Sequence, residues 1–399
     1  MKLFPAVPAI ALTLLAATAH AQPSKSTAVV YVETNSPTAN AVLAYERNEK
    51  GRLTLVGNYP TGGTGVFDAS LQLGPFDSDQ DIITNPEHTR LFAVNSGSNT
   101  IAVFDIGAAG VLTPIPGSPF PSGGSNPVSL GLARDVLVVV NKGMDPAQPI
   151  GGANYAAFRV NPEGRLTALL SAMPIEGEIS ASQALISPGK RLVFGADFLG
   201  GLLRSFLVQP GGELTQTGLV APPASEAIGT TPVLPLGLIT HPKAPVLYVG
   251  FVTVGKIGVY TFDSRGVLTF VRAVGDSGAA PCWLRTNDTG TRLYVSNTGD
   301  NSISVYDTTS PLEPVEIQHL VLKGEGSSFQ VDLDPTGQFL YVVTQRASPA
   351  TPLGEGNTLH VLDVNENTGR LSEKGKSVYD LPVSPVGTRP KGVASVLVR

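Results

Sequence analysis

Acidic, basic and amide side chains stand in this chain at two kinds of place, the openings of predicted strands and the ends of others. Asp81 opens a strand, whereas Glu33, Asp145 and Asp197 follow strand ends. Lys142, Arg346, Arg389 and Lys391 hold comparable places and could bind a carboxylate or phosphate. A carboxylate next to a water supplies a general base, and a cation or N–H donor supports a developing oxyanion. Asp81 and Glu33 are therefore the candidate bases, with Lys391 or Arg346 as anion clamp. Asp in a turn and Lys at a rim also serve simply as turn former and solvated charge, and that reading stays open for each residue.

Amides and the single tryptophan complete the candidate set. Gln183 and Gln330 occupy equivalent strand openings in different repeats, so one register points both toward a common axis, where neutral amides recognise hydroxyls and carbonyls. Trp283 opens another strand and could be an aromatic platform for a ring or could pack against its neighbour. Asn95, Asn141 and Asn297 precede turns, where Asn bonds its own chain and tolerates left-handed backbone.

Several chemistries are not expected. His20, His88, His241, His319 and His360 open no inner strand, which argues against a Ser-His-Asp relay or a His-rich zinc site. There is no G-x-S-x-G, P-loop or dinucleotide fingerprint, so no cofactor and no metal are expected. Cys282, the only cysteine, can form neither an internal disulfide nor a Cys-based metal site alone. A net charge of −5 without a Lys/Arg block excludes a nucleic-acid or anionic-membrane surface. A small-molecule ligand and a monomer are expected instead.

The elements that must position these residues recur as one phrase. A strand ends in an amide, a polar turn follows, then a second strand with a late aromatic, then Gly-x-Leu. The clearest copies are LFAVNSGSNTIAVFDI from Leu91 and LYVSNTGDNSISVYD from Leu293. Seven copies can be aligned, with cores at Val29, Leu91, Val136, Leu192, Leu247, Leu293 and Leu340, roughly 46 to 60 residues apart, a propeller-blade period. The sixth loses its Gly-x-Leu closure to Pro311 and Pro314.

Each unit reads as four short strands, because alternating apolar segments are punctuated by Gly, Pro, Asn and Asp. The segment from Arg389 resembles only the opening strand of a unit, while the copy at Val29 lacks that strand. The sequence thus predicts an all-β, seven-bladed β-propeller of four-stranded blades, its ring closed by N- and C-terminal strands, which leaves no open sheet edge. It occupies residues 29–399 as one domain. Lys2, the apolar stretch Leu3 to Thr18 and Ala19-His20-Ala21 read as a signal peptide over 1–21, with 22–28 a short mature segment and a periplasmic or secreted product.

The repeats resemble the lactonase family of seven-bladed propellers, which includes 6-phosphogluconolactonase and a carboxymuconate cyclase. LFAVNSGSNTIAVFDI, ISPGKRLVFGADFLGG, PCWLRTNDTGTRLYVSNTGDNSISVYD and DPTGQFLYVVTQR carry the resemblance. It implies an active site on one face of the ring, built from inner-strand openings and the turns after second strands. The cyclase's His falls at Ser182 or Gln183, its Arg at Leu236 or Cys282, and its Glu near Val252. Two readings follow. One is an exported hydrolase or isomerase acting on a small lactone or carboxylated ring; the other is a non-catalytic propeller binding a small molecule or protein.

Overall fold

The computed structural model describes residues 27–66, 78–145, 148–149, 152–169, 172–175, 180–346, 351–352, 354–386 and 388–398. The signal peptide expected over 1–21 lies outside them, as does most of the 22–28 segment. Seven antiparallel sheets form the blades of a propeller. In order from the axis outward, blade 2 runs Ile82–Thr84, Arg90–Asn95, Thr100–Ile106, Leu112–Pro114, and blade 3 Pro127–Ala133, Val136–Asn141, Asn154–Val160, Leu166–Ala168. Blade 4 runs Leu185–Ile186, Leu192–Asp197, Leu202–Val208, Leu214–Val220; blade 5, Pro235–Thr240, Val246–Phe251, Lys256–Phe262, Leu268–Gly275. Blade 6 runs Pro281–Thr286, Arg292–Asn297, Ser302–Asp307, Val315–Val321; blade 7, Gly326–Leu333, Phe339–Arg346, Thr358–Val364, Leu371–Ser372. Blade 6 keeps its outer strand although Pro311 and Pro314 replace the usual closure, since both prolines fall before Val315.

Blade 1 is composite. Thr27–Glu33, Ala41–Arg47 and Leu53–Pro60 come from the start of the described chain, and its inner strand, Lys391–Val398, comes from the end. The two ends pair antiparallel from Thr27 opposite Val398 to Glu33 opposite Lys391.

The composition of each strand follows its depth. Second strands are enclosed on both faces by adjoining blades, so Val136–Asn141 is buried at every position and reads as a continuous apolar run. Outer strands alternate between half-buried and exposed, as in Leu268–Gly275. Between blades the faces interlock through aromatic pairs such as Tyr155–Phe206, with centroids 4.5 Å apart, and Phe194–Phe262, at 5.0 Å.

The repeated Tyr and Gly have a joint explanation. The Tyr31 hydroxyl donates to the Gly110 carbonyl of the next blade at 2.8 Å, and Tyr294 donates to that of Gly369 at 3.2 Å. Both glycines have positive φ, +74° and +71°, and a Cβ there would lie 2.6 Å from Val29 and 2.5 Å from Arg292. Only glycine permits that backbone and that approach together. The repeat phrase therefore encodes the contact between successive blades as well as the blade itself.

Candidate active site at the upper face

Inner strands begin, and second strands end, at one face of the ring, here termed the upper face. At this edge five blades slip register by a residue, between Val32 and Glu33, at Val140/Asn141, Pro235/Leu238, Pro281/Trp283 and Ser328/Val331. Bulges of this kind re-aim side chains at barrel and sheet rims. Here they turn the strand openings toward the channel.

The channel is crossed by the segment Ser78–Asp81. The amide of Asp79 donates to the Ser182 carbonyl of blade 4, and the Leu130 amide of blade 3 donates to that of Gln80. The Gln330 amide of blade 7 donates to the Ser78 carbonyl at 2.8 Å. Only a segment lying across the axis can reach blades 3, 4 and 7 at once. Gln80 takes a left-handed φ of +62° to make the crossing.

Where this segment meets the closing strand, three ionisable groups are brought together with no solvent exposure. Lys391 Nζ lies 2.7 Å from Asp81 Oδ1 and donates to Ser96 Oγ at 2.7 Å. Gln330 donates to Asp81 Oδ2, and its own oxygen accepts from the Gly392 amide. Glu33 Oε1 accepts from Asn40 Nδ2 at 2.8 Å, while Oε2 is buried without a hydrogen-bond partner. Burial pushes the Glu33 carboxyl well above the usual range; nearby Asp81 adds to this, and Lys391 and Asn40 oppose it. A carboxyl whose neutral form is favoured thus lies near the carboxyl that faces Lys391. A buried carboxyl that favours its protonated form near a carboxylate held by a lysine is an arrangement that suits acid and base roles.

A second charged group lies deeper. Asp79 Oδ2 accepts from Gln183 Nε2 at 3.0 Å and faces Arg285 at 3.6 Å, and Arg285 faces Asp332 at 3.5 Å. Burial raises Asp79 to about 6, against the lowering influence of Arg285. Asp332 is raised too, chiefly by burial. Arg285 and Asp332 border a cavity of about 440 Å³ at the lower face, between blades 6 and 7.

The other sequence candidates distribute as follows. The side-chain amides of Gln183 and Gln330 both bond the Ser78–Asp81 segment, Gln183 also exchanging hydrogen bonds with the Leu238 backbone. Asp197 forms a buried ion pair with Arg204 at 2.5 Å, and burial raises its carboxyl despite that partner. Arg346 is buried and donates to the Thr351 carbonyl, and Lys142 is buried at the end of the blade 3 second strand. Trp283 is fully enclosed, 5.6 Å from Phe329 in an edge-to-face pair. Asn95, Asn141 and Asn297 hold neighbouring turns: Asn141 bonds the Ser122 carbonyl, and Asn297 bonds Ser302 and Ser304. Asp145 falls in a short hairpin with Gln148.

Sequence reasoning passed over Asn40, Ser96, Asp79, Arg285 and Asp332. Strand parity was the available signal for two of them. Arg285 follows Trp283, and Asp332 follows Gln330, by two residues, so strand parity links each to a candidate already singled out. Among the described residues no group of three His, Cys, Asp or Glu could hold a metal ion.

A lactonase seven-bladed propeller family model matches residues 215–343 and 289–383. No curated protein sequence matches the chain. Solved structures align over nearly the whole ring. A Bacteroides uniformis protein provisionally described as a 6-phosphogluconolactonase is 15% identical, with a TM-score of 0.71 over 94% of this chain and 100% of its own. The Pseudomonas aeruginosa periplasmic gluconolactonase is 17% identical, with a TM-score of 0.69 over 94% and 100%. A hypothetical selenium-binding protein of Sulfolobus tokodaii also aligns, at 12% identity and a TM-score of 0.64 over 94% of both chains, as expected of a scaffold that hosts many functions. With this fold and this match, the chain resembles the lactonase family of seven-bladed β-propellers.

Proposed function

We propose that the protein is an exported lactone hydrolase acting on a small lactone or carboxylated ring at the upper face. The observation that carries this reading is the Glu33–Lys391–Asp81 cluster. Three fully buried ionisable groups are costly to stability and often dispensable for it. Perturbed groups of this kind concentrate at functional sites.

The chemistry divides among them by environment. Asp81, held by Lys391 and Gln330, takes a proton from the attacking water. Lys391 stabilises the oxyanion that forms as water adds to the ring carbonyl. Glu33, kept neutral by burial, protonates the ring oxygen as its bond to the acyl carbon breaks, and the product is a hydroxy acid. Lys142 and Arg346, at the same face, would hold an anionic substituent.

Export rests on Lys2, the apolar stretch and Ala19-His20-Ala21. The structural likeness to a periplasmic gluconolactonase supports it, and no described helix is long and apolar enough to cross a membrane. Titration by pH-stat of a lactone panel, including unphosphorylated sugar lactones, tests the reading with mature protein and with Asp81→Asn. Turnover that the folded variant loses supports it. Absence of turnover across the panel by folded protein would leave a ligand-binding propeller as the better account.

A further inference from the structure

The upper face is polar on one side of the channel and apolar on the other. Leu236, Cys282, Trp283 and Phe329, from the inner-strand openings of blades 5, 6 and 7, form one buried cluster. Phe198 and Val252, at the ends of second strands in blades 4 and 5, pack on it and stay partly exposed. The cluster and the catalytic candidates share the blade 7 inner-strand opening, where Phe329 is followed by Gln330, whose side-chain amide donates to Asp81. Within it Trp283 has no exposed surface, yet its indole Nε1 has no hydrogen-bond partner. An indole N–H usually finds a partner when buried, and a ligand oxygen is the partner that an apolar wall at a site mouth would receive.

We infer that this wall is a subsite for an apolar substituent, so that the substrate is an alkyl- or aryl-substituted lactone rather than a polyhydroxylated one. The inference rests on the lactone-hydrolase reading and makes it more specific. Ligand sites are typically apolar walls with a few placed polar groups. Here Asp81, Glu33 and Lys391 address the lactone ring, the Trp283 N–H meets a ring oxygen where the substituent begins, and Phe198 and Val252 meet the far end of the substituent. A bare sugar lactone leaves the aromatic wall without a partner.

Trp283 is the only tryptophan, so its fluorescence reports on this wall without any need for turnover. The probes are unhydrolysable γ-lactams, unsubstituted or carrying a butyl or octyl chain, and gluconolactam, titrated in parallel with turnover of the matching lactones. The octyl lactam should shift Trp283 emission and bind about tenfold or more tighter than the butyl lactam. Octyl lactone should exceed gluconolactone in kcat/KM, and Phe198→Gln at the exposed rim should weaken the octyl compound selectively. Asp81→Asn should abolish turnover and keep the fluorescence response. Hydrolysis of all lactones alike, with emission unchanged by any lactam, overturns this inference alone. A fluorescence response with no lactone hydrolysed overturns the hydrolase reading and keeps the apolar ligand site. Tighter binding of gluconolactam than of the octyl lactam overturns the inference whatever the turnover.

Discussion

Lys391 Nζ stands 2.7 Å from Asp81 Oδ1, both without solvent exposure. The lysine opens the strand that closes the ring, and the aspartate ends the segment that crosses the channel. Removing the ammonium should therefore damage fold and site together. Lys391→Met leaves Asp81 buried and uncompensated, at a cost of about 3–5 kcal/mol. Urea denaturation followed by circular dichroism measures this; a change under about 1 kcal/mol would mean that the pair is not sealed as described.

Glu33 yields a test in which activity and stability separate. Burial favours its neutral form, so Glu33→Gln should hold stability at pH values below the raised pKa. As an acid, however, it is required in its protonated form, and activity should fall as pH rises through its raised value. The glutamine variant should lose roughly 10²–10⁴ in kcat together with that alkaline limb. A variant with unaltered kcat and profile removes Glu33 from the mechanism.

Asp79 should set a pH dependence of opposite sense to an ordinary surface carboxylate. Its folded-state value of about 6 exceeds the ordinary value of 3.8, so between the two the folded state holds the extra proton. Stability from this group is full below 3.8 and is lost as pH rises through about 6. The gap corresponds to roughly 3 kcal/mol. Relative to wild type, Asp79→Asn should gain stability between pH 4.5 and 7, on the order of that figure, by urea midpoints. A constant offset across the range would refute the assignment.

The Tyr-to-glycine contact between blades predicts losses in stability without loss of chemistry. Tyr294→Phe removes one hydrogen bond to the Gly369 carbonyl, about 0.5–1.5 kcal/mol. Gly369→Ala must hold a φ of +71° and move Arg292, at roughly 1–3 kcal/mol. Both variants should keep wild-type kcat, since blades 6 and 7 meet here at the lower face. Loss of turnover in a folded Tyr294→Phe protein would place the active centre at that end.

The sequence by itself determined the ring. Period-2 apolar runs, the amides Asn95, Asn141 and Asn297 before turns and the Gly-x-Leu closures are local signals, and each acts within one blade or between neighbours. The split blade was legible too, because the opening strand missing at Val29 is present after Arg389. Asp81, Glu33, Lys391, Gln183 and Gln330 could be singled out because inner-strand openings and second-strand ends recur at fixed places in the phrase.

Tertiary structure alone decided how those openings are used. Nothing in the repeat shows that Ser78–Asp81 leaves its own blade to bond blades 3, 4 and 7, since a crossing of the axis has no periodic signature. The same crossing occupies the amides of Gln183 and Gln330 and places Asp79 against Arg285. The raised carboxyl of Glu33 likewise comes from burial and from Asp81, against the opposing charge of Lys391 at the far end of the chain. Desolvation and charge proximity are properties of the closed ring, and no single blade contains them.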